Sequence, residues 1–407
     1  MNFRTKQYLR KRFGDYYQTF EPILPPDFTR REWGFIFFDE LPEVVMRRHK
    51  AFSSEGEAFE YLRGMVPAHV YHSAAYYQLP GAALMKEKKW LGADLIFDLD
   101  ADHLPPEVRG KSYKEMLDAV KKETKKLLDF LLEDFGFLED KISMVFSGGR
   151  GYHIHVRDPK VLSLESAERR EIVDYISGTG FDENSVLYKK KKTLKIHDGV
   201  RRHPMEHEIV YEMVEMPTWA KRAAEKTVQQ LENIRLLEQE EAVKELRKIE
   251  GITPKKAGDI IKSLQQFKSY EELHKTIFEG GLDQSRSMWS VRQSIINNLG
   301  VKGVEGETDE PVTADIRRLI RMPSSLHGGS GMRVVPLTLS GFEKFEPLVD
   351  AVVFSEKEIQ IEIIPPLKPQ NSIVEMKGKS FRVQEGINTL PEYAAMYLMC
   401  RGAAEYA

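Results

Sequence analysis

Three short segments hold the residues best able to do chemistry. The first is "LIFDLD" (95–100), in which three apolar residues lead into Asp98 and Asp100. Side chains two apart in a strand share a face, so both carboxylates project to one side while Leu99 turns toward a core. Like charges held that close need compensation, and a hard divalent cation with oxygen ligands supplies it. A polar strand end facing water is the simpler alternative. The second segment is "FSGGRGYHIHV" (146–156). After Ser147, its glycines let backbone N–H groups approach an anion, and Arg150 can fork two phosphate oxygens. His153 and His155 share a face of the outgoing strand. Alone, the segment also reads as an ordinary hairpin turn. The third, "TDEPVTADIRRLIRMPSSLHGGSGMRVVPL" (308–337), gathers Asp309, Glu310, Asp315, Arg318, Arg321 and a glycine-flanked His327.

The elements that must position these residues are legible from periodicity and punctuation. "WLGADLIFDLD" (90–100) reads as a strand from its apolar run. A long helix follows: Ser112 and Glu115 have capping-box spacing, Met116, Val120, Leu127, Leu131 and Phe135 fall near one face, and Gly136 stops it. "KISMVF" and "YHIHV" are the arms of a hairpin across "SGGRG". "FIFFDE" (35–40) and "AAYYQL" (74–79) read as strands, and "ADIRRLIR" (314–321) as a short helix stopped by Pro323. From Pro217 to about residue 300 the texture is charged and helical. Strand-like sequence resumes at "MRVVPLTL" (332–339), so the helical stretch is an insertion. A strand pair around "IEIIPPL" and "KSFRVQEG" leads to a C-terminal helix from Pro391.

Composition narrows the classes. The chain's 407 residues and 41% hydrophobic content support a buried core, not a disordered polymer. A single cysteine, Cys400, rules out an intrachain disulfide and Cys-based zinc sites, leaving oxygen or histidine for any metal. No apolar run has membrane-spanning length and the N-terminus lacks a leader pattern, so an intracellular, cytoplasmic protein is expected. The net charge of -3 calls for a local basic face if nucleic acid is bound. Candidates are "KKKKTLKIHDGVRRH" (189–203), the group Arg47, Arg48 and Lys50, and "RRLIR" (317–321), each equally readable as solvated surface.

Taken in order, "MRRHKAF" (46–52), "FDLD", "FSGGRGYHIHV", "DEPVTADIRRLIRMPSSLHG" and "LPEYAAMYLMCRG" resemble the catalytic small subunit of DNA primase in the archaeo-eukaryotic primase superfamily, the archaeal form most closely. The resemblance implies an α/β (α+β) fold, a mixed-sheet catalytic core. The core would occupy residues 1–216 and 301–407, with an all-helical subdomain inserted at 217–300. It implies that Asp98, Asp100 and Asp309 bind two Mg²⁺ or Mn²⁺ ions, with Asp315 the competitor for the third place. It also implies that Arg48, Ser147, Arg150, His153, Arg321 and His327 contact the incoming nucleotide. The expected activity is template-dependent primer synthesis on single-stranded DNA from NTPs, with dNTPs an open second class. The expected partner is a large subunit that carries its own iron-sulphur cluster.

Two features depart from the family or stand outside it. Many relatives carry a Cys/His zinc knuckle after the first acids. Here "ADHLPPEVRGKSYKEM" (101–116) has only His103, so no structural zinc is expected; a retained zinc would need His197, His203 or His207. Within the insert, "IEGITPKKAGDIIKSL" (249–264) resembles a helix-hairpin-helix with Thr253 in place of a second glycine. Two rival readings stay open. An apolar strand ending in Asp-x-Asp also marks haloacid-dehalogenase-like phosphohydrolases, although here position 102 is Asp and the motif lies far from the N-terminus. The basic segments alone would suit a non-catalytic nucleic-acid-binding subunit.

Overall fold

Asp94 decides how the "WLGADLIFDLD" segment is used. The segment is two strands and not one, Trp90–Ala93 and Leu95–Asp100, with Asp94 between them. The computed structural model describes residues 1–105, 111–180, 187–191, 207–211, 219–278, 286–300, 313–366 and 372–407. In it Asp94 and Arg31 are both fully buried, with Arg31 Nη2 2.9 Å from Asp94 Oδ2. Asp94 also accepts from the Tyr76 hydroxyl at 2.6 Å and from Arg157 Nε at 3.1 Å. Arg31 donates its other hydrogens to the Tyr76 hydroxyl at 2.6 Å and to the carbonyls of Pro26, Ser73 and Ala74 at 2.9, 2.8 and 3.1 Å. A carboxylate so far from water is tolerable only with this full set of partners. The chain turns into the interior to reach them, and the ladder breaks there.

In chain order the strands are β1 (Trp33–Ile36), β2 (Arg47–Lys50), β3 (His69–Ser73), β4 (Ala75–Tyr77), β5 (Trp90–Ala93), β6 (Leu95–Asp100), β7 (Ile142–Phe146), β8 (Gly151–Val156), β9 (Leu187–Lys191), β10 (His207–Tyr211), β11 (Leu319–Arg321), β12 (Val335–Leu337), β13 (Glu358–Ile363), β14 (Ile373–Met376), β15 (Lys379–Arg382), β16 (Gly386–Pro391) and β17 (Ala404–Tyr406). The chain divides into two compact units, one of Met1–Leu128, Phe137–Val173 and Lys302–Ala407, the other of Asp129–Gly136 and Asp174–Val301. The first contains two four-stranded sheets, ordered β11-β3-β1-β2 and β12-β7-β8-β6. They meet where Ala74, Ile96 and Ile320 pack together out of solvent. A third sheet, β16-β13-β17, lies against the C-terminal helix Glu392–Cys400, whose residues are all buried. The N-terminal helix Phe3–Thr19 is tied to this region, Arg12 reaching Glu392 at 2.5 Å and Asn2 reaching Glu405. Helices and antiparallel ladders together give the expected α+β class.

The second unit is a helical cluster with one ladder, β9-β10. Its helices Trp219–Leu236, Gln239–Leu246, Pro254–Leu264, Tyr270–Phe278 and Arg286–Ile296 share a core that includes Val228, Leu231, Leu246, Ile260, Leu264 and Ile277. The resemblance to a helix-hairpin-helix falls on the turn before Pro254–Leu264, where Thr253 caps the helix by accepting from Lys256 N.

Elsewhere local sequence rules held where the signal was local. Ser112 and Glu115 form the capping box, Ser112 Oγ accepting from Glu115 N while Glu115 accepts from Ser112 N at 2.9 Å. The helix Tyr113–Asp129 buries Leu117, Val120, Thr124, Leu127 and Leu128. It runs through a wider turn at Phe130–Asp134 to Gly136, which has a left-handed φ of 65°. Two readings fail for non-local reasons. "ADIRRLIR" is a pair of turns followed by β11, because residues 319–321 find hydrogen-bond partners on β3. "IEIIPPL" and "KSFRVQEG" do not pair with each other: β13 pairs with β16 and β17, and β15 with β14.

Two consequences can be measured. Asp94→Ala leaves Arg31 buried with no counter-charge from that side and should cost about 3–5 kcal/mol of stability, read by urea denaturation. His72 and His155 are fully buried, and their imidazoles are held well below the ordinary histidine range, first by burial and then by Arg31 and Arg157 respectively. Once the pH drops below about 6.5, the unfolded chain takes up protons that the folded one refuses, so stability should fall with pH. Denaturation midpoints at successive pH values should show this, and His155→Phe should make the slope shallower.

Candidate active site

The register of β6 on β8 places Asp98 opposite His153 and Asp100 opposite Gly151, so the two carboxylates and His153 share one face of the sheet. Leu99 and Tyr152 take the other face and are buried. His153 Nε2 lies 3.4 Å from Asp98 Oδ1, and Arg318 Nη2 lies 3.6 Å from Asp98 Oδ2. Arg150 Nε is 3.6 Å from Asp100 Oδ1, and its guanidinium also pairs with Asp102. Asp102 sits in the short turn Ala101–His103 and donates its backbone N–H to Asp100 at 2.9 Å.

Burial pushes the Asp100 carboxyl above its usual range, with Arg150 pulling the other way. Its charge is therefore incompletely compensated by the protein. Burial takes His153 down to about 4; the Asp98 carboxylate opposes this, and Arg321 and Arg318 add to it. The imidazole is neutral at ordinary pH, and both arginines face it closely enough to be felt.

The glycine turn is built around Ser147, whose Oγ accepts from Gly149 N at 3.2 Å and Gly151 N at 3.3 Å. Gly148 has φ 73°, and a Cβ there would lie 2.8 Å from His327 Cβ. A Cβ on Gly149 would lie 2.9 Å from His327 Nε2. The hairpin and His327, far apart in the chain, are thus in direct contact, and Ser330 Oγ donates to the Gly148 carbonyl from the same loop. His327 Nδ1 accepts from Gly329 N at 3.1 Å, which leaves the proton on Nε2, aimed at the turn. Burial and then Arg321 hold this imidazole well below its ordinary range, so it acts as a neutral donor.

Asp98, Asp100, Ser147, Arg150, His153, Arg321 and His327 therefore gather in one region. Arg48 is engaged elsewhere: it forks onto the buried Glu32, with Nε at 3.0 Å and Nη2 at 3.2 Å, and touches the Arg317 carbonyl at 3.4 Å. Asp309, Glu310, His197 and His203 lie outside the described residues. Asp315 is described, and its carboxylate accepts from Arg317 N. Sequence reasoning passed over His69 and Tyr71, whose signal was only the period-two spacing of "HVYHS", and did not give Arg318 a place beside Asp98. The donor set suits a hard cation: two carboxylates on one face, one of them undercompensated. Among the described residues no cluster of three or more His, Cys, Asp or Glu side chains is arranged to hold a metal.

The family description for the DNA primase small subunit matches residues 97–339, more than half of the chain and the part that contains Asp98, Asp100, Ser147, Arg150, His153, Arg321 and His327. The chain belongs to the DNA primase small subunit family. Members of this family are DNA-directed nucleotidyltransferases of DNA replication. The similarity extends over the full length. The chain is 48% identical to the DNA primase small subunit of Methanococcoides burtonii, with 100% of both chains covered. It is 48% identical to that of Methanosarcina barkeri, covering 100% of this chain and 98% of the relative. It is 46% identical to that of Methanocella arvoryzae, again over 100% of both. Among the described residues no helix is long and apolar enough to cross a membrane.

The contact between turn and histidine is testable. Gly148→Ala must strain a left-handed residue and collide with the His327 side chain and the Met332 carbonyl, whereas Gly136→Ala, with φ 65° and open space around it, pays for the backbone alone. Denaturation should show about 1–2 kcal/mol lost for Gly136→Ala and distinctly more for Gly148→Ala.

Proposed function

We propose that the first unit is the catalytic module of a DNA primase, that it begins chains from NTPs on single-stranded DNA, and that the helical second unit is an insert in it. The observation that supports this most directly is the seating of the Ser147–Gly151 turn on His327 beside the Asp98–Asp100 face. A carboxylate pair alone would serve a phosphohydrolase as well. A carboxylate pair flanked by a glycine turn, two neutral imidazoles and several arginines suits a longer polyanion such as a triphosphate.

In this reading Asp98 and Asp100, with Asp309 as third carboxylate, hold two divalent ions. The chemistry that Mg²⁺ or Mn²⁺ supplies when bound is activation of a 3′-hydroxyl for in-line attack on the α-phosphorus and neutralisation of the departing pyrophosphate. The protein's own contribution is placement. Ser147 shapes the turn so that its N–H groups converge, His327 offers Nε2–H, and Arg150 and Arg321 supply fixed positive charge. His153, neutral, borders Asp98 without neutralising it. Arg48, forked onto the buried Glu32, stands outside this cradle. The chain works with a large subunit, as its family's "small subunit" description implies, and dNTPs are a second substrate class.

The test is incorporation of labelled NTPs and dNTPs on unprimed single-stranded DNA with Mg²⁺ or Mn²⁺. Asp98→Ala and Asp100→Ala should each abolish synthesis while the circular dichroism spectrum stays that of the parent. Primer synthesis by either variant would overturn the assignment, and template-independent phosphate release would favour the phosphohydrolase.

A further inference from the structure

We infer that His69 is a positioning residue for nucleotide binding: its unprotonated Nδ1 fixes the guanidinium of Arg321, and its ring braces His327. The inference rests on the reading of Arg321 and His327 as triphosphate contacts. His69 and Tyr71 are two apart on β3 and share a face, and Arg321 on β11 stands directly opposite Tyr71. Arg321 Nη1 donates to His69 Nδ1 at 2.7 Å and to the Tyr71 hydroxyl at 3.0 Å. A guanidinium can only donate, so His69 Nδ1 carries no proton and Nε2 does.

The other side of the same ring meets the His327 loop. The two imidazoles stand edge to face with centroids 5.0 Å apart. Gly328 N also points at His69 Nδ1, at 3.4 Å. A Cβ at position 328 would lie 2.7 Å from His69 Nε2 and 2.8 Å from the Ala68 carbonyl, so only glycine lets the loop close over the ring. One side chain thus touches both proposed phosphate contacts from beneath. Burial, and after it Arg321, keeps the imidazole well below the ordinary histidine range, so the acceptor nitrogen stays free.

Asparagine places its amide oxygen near where Nδ1 stands, whereas alanine offers no acceptor. Primer-extension kinetics on the full-length protein with its large subunit should show His69→Ala raising KM for the incoming NTP about tenfold with kcat within about twofold, the loss of one charge-assisted hydrogen bond. His69→Asn should restore KM to within about threefold of the parent. Adding His69→Ala to Arg321→Ala should raise KM by clearly less than His69→Ala does in the parent, the remainder being its support of His327. The inference falls if His69→Asn is as impaired as His69→Ala, if kcat drops while KM holds, or if the two substitutions act additively. An unchanged KM in Arg321→Ala would instead overturn the phosphate reading beneath it.

Discussion

The buried pair of Asp94 and Arg31 is the constraint on which the carboxylate face of β6 depends. Asp94 lies four residues before Asp98 and is held from three directions, by Arg31, Tyr76 and Arg157. Those partners come from the segment before β1, from β4 and from the end of β8. Anchoring Asp94 therefore fixes the start of β6 relative to both sheets. Because side-chain direction in a strand has period two, a slip of one residue at this point would turn Asp98 and Asp100 into the core and bring Leu99 to the surface. A fully buried ion pair adds little net stability, but its geometry admits one register.

From that anchor the site balances charges without cancelling them. Asp98 has a neutral histidine and Arg318 beside it, and Asp100 has Arg150. Each cation stands more than 3.5 Å away, near enough to moderate the repulsion between the carboxylates and too far to form a tight pair. On the basic side the imidazoles of His69, His153 and His327 are all kept uncharged by burial and by arginines. Positive charge then resides on guanidiniums, whose protonation does not vary with pH, while His69 and His327 serve as hydrogen-bonding groups of settled tautomer.

Local features of the chain were readable because their causes are local. The capping box at Ser112, the stop at Gly136, the hairpin around "SGGRG" and the shared face of Asp98 and Asp100 each follow from spacing within a few residues. Features decided by a distant partner were not. "ADIRRLIR" carries a helical pattern, yet β3 offered its backbone a ladder. "WLGADLIFDLD" reads as one strand from its apolar residues, yet Arg31 drew Asp94 inward. Arg48 carries the charge of a phosphate contact, yet the buried Glu32 claims its fork. His69 escaped notice for the same reason, since a strand histidine gains meaning only from what lies across the sheet. The family membership was legible because several segments occur together in order, which no single segment could convey.

The helical unit between β8 and β11 has a consequence for how the chain comes into being. The strands that complete the two sheets, β11 on β3 and β12 on β7, lie beyond the helical unit in the chain. A ribosome therefore delivers both carboxylates and the glycine turn long before it delivers His327 and the edge strands that close over them. Until then β3 and β7 present open hydrogen-bonding edges. The nascent chain must carry those edges through synthesis of the whole helical unit, and the contact between the glycine turn and His327 cannot form until its last quarter emerges.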